Sequence, residues 1–156
     1  MKKLLTLLAA IMLSTATMMA QTETDKNLFS YQGSVSLNGY YYGAPGGSLH
    51  TSHGIRYSNL YAGISAEHII TIVPITNLCA HIKLYFPNKQ GWQGFISMEV
   101  GGSVNDTKIE PGVALTPSFG FLYSFKNDMA IEFGPCFSWL LSNKTPLIGT
   151  SLTFSF

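Results

Sequence analysis

Charge is scarce in this chain. Lys and Arg number 9 and Asp and Glu 8 among 156 residues, so 11% of the side chains are charged, against about 25% in soluble globular domains. That is too few to cover the surface of a soluble domain of this size. A formal net charge of +1 also excludes the clustered basic surface that nucleic acid requires. Long apolar runs are missing as well: nothing after the first twenty residues approaches the roughly 18 apolar residues of a spanning helix. The sequence contains no Gly-rich phosphate loop and no dinucleotide fingerprint, so no cofactor is expected. Cys79 and Cys136 are the only cysteines, and they do not form a compact Cys/His pattern of the zinc type. What the chain has in quantity is ten Phe, eight Tyr, two Trp and fifteen Gly, a mixture that favours strands and turns.

The length allows one domain. Residues 1–20 read as a cleaved signal peptide: Lys2 and Lys3 form a positive start, Leu4 to Leu13 an apolar stretch, and small residues follow. Cleavage after Ala16 satisfies the small-x-small rule through Ser14, and cleavage after Ala20 is the alternative. Without a cysteine after the signal, a lipid-anchored start is not expected. Residues 21–156 would then form the mature domain, exported to an oxidising compartment.

After a polar lead, Gln21 to Asn27, the chain shows period-two alternation broken by turn formers, with no helical period. Eight strands are predicted, at 29–41, 48–57, 60–70, 74–86, 92–104, 111–125, 129–141 and 147–156. In the last, Ile148, Thr150, Leu152, Phe154 and Phe156 share one face and Gly149, Ser151, Thr153 and Ser155 the other. The sixth segment sets Val113, Leu115, Phe119, Phe121, Tyr123 and Phe125 against Ala114, Thr116, Ser118 and Gly120, and the first and seventh repeat the pattern. The polar face is mostly Gly, Ser, Ala and Thr, which suits the crowded interior of a narrow barrel. The bulky face must then meet lipid. Closure removes the edges, so every backbone group is paired inside a membrane. The expected fold is all-β: an eight-stranded antiparallel up-and-down transmembrane β-barrel in the outer membrane of a Gram-negative cell.

With both termini on the periplasmic side, Ser58–Asn59, Pro87–Gly91 and Lys126–Asp128 turn there. Tyr42–Gly47, Thr71–Val73, Asn105–Glu110 and Ser142–Pro146 form short outer connections. Tyr40, Tyr41, Tyr42, Tyr57, Tyr61, Trp92 and Trp139 fall near strand ends, where aromatic girdles meet the membrane interfaces.

Several segments carry a resemblance: Thr51-Ser52-His53-Gly54, Leu60-Tyr61-Ala62-Gly63-Ile64, Val73-Pro74-Ile75, Lys83-Leu84-Tyr85-Phe86, Gly94 through Gly101, Thr116-Pro117-Ser118-Phe119-Gly120 and the terminal Phe156. In order and spacing they resemble the small outer-membrane β-barrel domain family, of OmpA/OmpX-like architecture, over nearly the whole mature chain. The resemblance implies that Leu152, Phe154 and Phe156 form the assembly signal read by the barrel-assembly machinery, with outer-membrane lipid as the standing partner.

Candidate chemistry lies on the polar face. A two-residue turn at Ser58–Asn59 places His50 opposite Glu67, with Ser52 nearby, so a Ser-His-Glu hydrolase arrangement can be drawn. The reading preferred here is a structural polar network of His50, Arg56, Glu67, Lys83, Glu99 and Glu132 filling the lumen, with no catalytic residues. Buried charges in such a lumen normally pair. A narrow pore or proton path lined by Arg56, Lys83, Glu99 and Glu132 is a third reading, and a soluble lipocalin-like barrel with its faces exchanged a fourth. His53 and His68 take the lipid-facing parity, opposite His50 and His81, so the four histidines do not converge and no metal site is expected. Cys79 and Cys136 point inward three strands apart, beyond the roughly 7 Å limit for a disulfide.

Overall fold

Alternating large apolar and small polar residues leave the chain one economical arrangement, a sheet that closes on itself. The computed structural model describes residues 29–42, 44–70, 74–87, 91–105, 111–125, 129–140 and 145–156. The expected signal peptide at 1–20 lies outside them, as do the connections at 71–73, 88–90, 106–110, 126–128 and 141–144. Eight strands follow one another: β1 (Phe29–Tyr42), β2 (Ala44–Tyr57), β3 (Leu60–Ile70), β4 (Ile75–Pro87), β5 (Trp92–Asn105), β6 (Pro111–Ser124), β7 (Ala130–Leu140) and β8 (Thr145–Ser155). Each pairs antiparallel with its neighbours in sequence, and β1 pairs with β8 to close the barrel. Strands of 11–14 residues, rising about 3.4 Å per residue at a tilt of about 45°, cover roughly 26–33 Å, enough to cross a bilayer.

The exterior decides the environment. Leu37, Ile64, Leu78, Phe121, Ile148 and Leu152 are all more than half exposed, among thirty exposed large apolar side chains of the described residues. Ser34, Ser36, Ser52, Ser65, Ser138 and Ser155 are buried within the lumen. An apolar outside and a polar inside is the arrangement of a membrane barrel, and it overturns the lipocalin-like alternative. Tyr41, Tyr57, Trp92 and Trp139 point outward near strand ends. Tyr40 and Tyr61 do not: at 4% and 2% exposure they lie inside, because they share parity with Asn38 and Ser65. They are removed from the expected girdle.

The Ser58–Asn59 turn sets the predicted register, Tyr57 opposite Leu60 and His50 opposite Glu67. Ser58 takes the positive φ of 53° that a tight hairpin requires. Two boundaries shift by more than one residue. β2 begins at Ala44, and Pro45, Gly46 and Gly47, expected in a loop, pair with Tyr41, Tyr40 and Gly39; β8 likewise begins at Thr145. In a membrane, continued pairing outweighs weak strand propensity, since unpaired backbone has no water to turn to. Between β6 and β7 the ladder is interrupted around Pro117 and Pro135, which have no N–H to donate.

The seam uses the last residue. Gly33 N–H donates to Phe156 O at 2.8 Å and Phe156 N–H to Gly33 O at 2.9 Å. The Phe156 ring covers the bare Cα of Gly33, where a Cβ would lie 2.7 Å from it. Glycines on the inner wall let strands bend tightly around a narrow lumen. A Cβ on Gly101 would stand 2.0 Å from Leu78 O, whereas one on the neighbouring, outward Gly102 meets nothing within 4 Å. Gly101→Val is therefore expected to lower stability by about 3 kcal/mol, and Gly102→Val to leave it unchanged. Urea titrations read by the mobility of unboiled samples on gels check the contrast.

Candidate functional site in the barrel lumen

The lumen is layered. At the end where β1 begins and β8 finishes, Tyr61, Tyr85, Phe95, Leu122 and Ala130 form an apolar cluster. At the other end Tyr40, Ile69, Ile75, Cys79, Ala114, Cys136, Leu140 and Leu147 form a second. Cys79 and Cys136 are both buried and free. Among the described residues the lumen also holds three buried carboxylates, one per tier.

The first tier is Glu67. Its Oε1 accepts from Asn38 Nδ2 at 2.9 Å, Tyr40 OH at 2.7 Å and Ser48 Oγ at 2.6 Å, and its Oε2 from Asn77 Nδ2 at 3.2 Å. Four neutral donors replace the water this carboxylate lost, which is the condition for burying it. His50 is its cross-strand partner in register but turns away. Ser52 bonds to Ser34 at 2.7 Å. The Ser52–His50–Glu67 arrangement drawn from register is therefore not formed. Cross-strand neighbours share a face, but rotamers and the rest of the lumen choose the contact.

The middle tier joins His50, His81 and Glu99. His50 Nε2 lies 2.9 Å and His81 Nδ1 3.4 Å from the same oxygen, Glu99 Oε1. Neither ring nitrogen is aligned for a hydrogen bond to it. Ser65 Oγ donates to Glu99 Oε2 at 2.9 Å, and Ser36 Oγ stands 3.3 Å from His50 Nδ1. The His81 ring meets Tyr61 and His50 edge-on, at centroid distances of 5.2 and 6.0 Å. His81 and Glu99 are direct partners across β4 and β5. The sequence could not supply that pairing, because the longer connection between these strands leaves their register open; only the two-residue turn before β3 fixed one.

The third tier is an ion pair. Lys83 Nζ donates to Glu132 Oε2 at 2.5 Å across the lumen from β4 to β7, and Ser155 Oγ donates to Glu132 Oε1 at 2.7 Å. Lys83 thus pairs with Glu132 rather than with Glu99 on the adjacent strand, and its ammonium also lies 5.1 Å from the centre of the Phe95 ring. Arg56 sits apart, half-buried at the terminal rim. It stacks 4.2 Å over Tyr85, and Nε donates to Ser58 O at 3.0 Å.

The outward histidines are held by neighbours. His53 lies 2.6 Å from Tyr31 OH and 3.1 Å from Thr51 Oγ1, and His68 lies 3.1 Å from Thr76 Oγ1. Hydrogen bonding on the lipid side is the condition for keeping these rings in an apolar surrounding.

No family model and no curated protein matches the sequence. Solved structures do match the fold. Neisserial surface protein A has a TM-score of 0.64 at 13% identity, covering 83% of this chain and 96% of that one. The N-terminal β-barrel domain of Pseudomonas aeruginosa OprF has 0.59 at 14%, covering 80% and 97%. The outer membrane enzyme PagL has 0.53 at 12%, covering 79% and 98%. The chain is a small eight-stranded barrel of the outer-membrane type, and at these identities the likeness is one of fold.

Lys83→Met leaves the Glu132 carboxylate buried without its cation and should cost about 3–5 kcal/mol. The double variant Lys83→Met/Glu132→Leu should recover most of that loss. Urea unfolding of all three proteins in detergent gives the comparison.

Proposed function

We propose that this chain is a non-enzymatic outer-membrane barrel, exported by its signal peptide, whose role is structural or lies in contacts made by its outer surface. The observation that carries this reading is the filling of the lumen. Apolar clusters lie toward both ends, a recess of about 380 Å³ bordered by Gln32, Arg56 and Gln93 opens beyond the one that holds Ala130, and the polar middle is largely bonded to itself. An eight-stranded barrel has just enough interior for its own side chains. Of the charged residues that would line a water column, Arg56, Lys83, Glu99 and Glu132, the pair Lys83 and Glu132 is locked together.

A hydrolase is the second reading, favoured by the fold shared with PagL and by the file Ser36–His50–Glu99. Its geometry supports it poorly. Ser36 is 3% exposed inside the lumen, its hydroxyl also accepts from Thr153 at 2.7 Å, and His50 is not aligned on Glu99. A nucleophile acting on lipid must be reachable by acyl chains, and those lie on the other side of the wall.

Two measurements test the proposal. Purified barrel in planar bilayers should give no conductance steps. Whole-envelope lipid mass spectra should be identical in cells expressing the wild type, Ser36→Ala, His50→Ala or no protein. Discrete channel openings, or a lipid change that Ser36→Ala abolishes, would overturn it.

A further inference from the structure

Independently of that role, the middle tier has the make-up of a metal centre. We propose that His50, His81 and Glu99 bind one divalent transition ion of the zinc class, held inside the barrel as an internal cross-link between β2, β4 and β5. The expectation of no metal site rested on four histidines divided between two faces. Two of them share the lumen, and the carboxylate that completes the set comes from a strand whose register the sequence leaves open.

Four observations carry the assignment. First, one ligand atom from each of the three buried residues lies within 4.8 Å of the others. Around a tetrahedral ion at about 2.0–2.1 Å, ligand atoms stand about 3.3–3.4 Å apart, and the observed separations from Glu99 Oε1 are 2.9 and 3.4 Å. Closing on an ion takes adjustments of a few tenths of an ångström at those two contacts, and the two histidine nitrogens, within 4.8 Å of each other, must close to the same spacing.

Second, both His81 nitrogens are buried without a hydrogen-bond partner, in a residue 3% exposed, and His50 Nε2 meets the Glu99 carboxylate at 2.9 Å. Burying such atoms unpaired is costly; a neutral imidazole coordinates through one nitrogen, so an ion would satisfy His81 Nδ1 and not its Nε2.

Third, the atoms facing away are already secured. Ser36 Oγ holds His50 at Nδ1 and Ser65 holds Glu99 at Oε2, leaving His50 Nε2 and Glu99 Oε1 for the ion. Orienting partners of this kind accompany metal-binding histidines and carboxylates.

Fourth, charge and space agree. In formal charges, with the histidines neutral, Glu67, Glu99 and Glu132 oppose only Lys83 among the described buried residues. That leaves two negative charges, which one divalent ion cancels. The three ligands border, together with Glu67 and Glu132, a lumen cavity of about 40 Å³, more than the about 10–15 Å³ a single water needs. Lys83 also borders it, but its ammonium is tied to Glu132. Two histidines and one carboxylate with an open position suit zinc, and non-haem iron(II) in a second geometry.

The apolar clusters at both ends imply loading before closure, so the test refolds the full, untagged chain into detergent micelles with Zn²⁺, with Co²⁺ or with EDTA. The expected result is one zinc per folded chain after desalting. Refolding with Co²⁺ should give the visible absorption of tetrahedral cobalt, and the zinc form should lose its heat-shifted band at a higher temperature than the EDTA form. His81→Gln and Glu99→Gln should weaken zinc binding at least about 100-fold, since loss of an orienting partner alone weakens it 10–100-fold. His68→Gln, on the lipid face, should bind as wild type does. A folded wild-type barrel that retains no zinc and shows no cobalt spectrum overturns the proposal, with no variant needed. So does zinc retention unchanged in folded His81→Gln and Glu99→Gln together.

Discussion

Closure of an eight-stranded sheet is the constraint on which everything else in this molecule depends. In lipid an unpaired backbone group has no water to bond with, so each strand must find partners on both sides. The β1–β8 seam meets that demand down to the final residue, where Gly33 and Phe156 exchange both of their backbone hydrogen bonds. The same demand draws Pro45, Gly46 and Gly47 into β2 despite their poor strand propensity. It also tolerates Pro117 and Pro135 only with an interrupted ladder.

A small closed barrel has little volume inside, and that scarcity dictates the inner wall. Serine, alanine and glycine line it because larger side chains on every inward position would not fit. Where Gly101 lies close to the β4 backbone, even a methyl group has no room. The few large inward residues are therefore gathered into two clusters, one at each end, and polar groups occupy the space between them.

Those polar groups solve one electrostatic problem in three ways. Glu67 is surrounded by neutral donors, Glu132 by a lysine and a serine, and Glu99 by a serine and two histidines. A charge removed from water must recover comparable interactions within the protein or destabilise it. The first and third tiers do so with ordinary hydrogen bonds and an ion pair. The middle tier is different, since its short contacts are not aligned hydrogen bonds and buried nitrogens there remain without partners.

The sequence by itself determined the strand count, the two faces and one hairpin register. Those follow from local rules: side chains alternate with period two, and a two-residue turn such as Ser58–Asn59 fixes its pairing. Local rules failed where spatial neighbours are distant in the chain. The parity that places Leu152 and Phe154 outside also places Tyr40 and Tyr61 inside, although proximity to strand ends alone had put both tyrosines in the girdle. Which carboxylate meets which base was decided only by the closed structure. Lys83 reaches Glu132 across the lumen, and His81 meets Glu99 across a pairing whose register no tight turn announces. Alternation says that a residue faces inward, but the curvature and register of the whole barrel decide what it meets there.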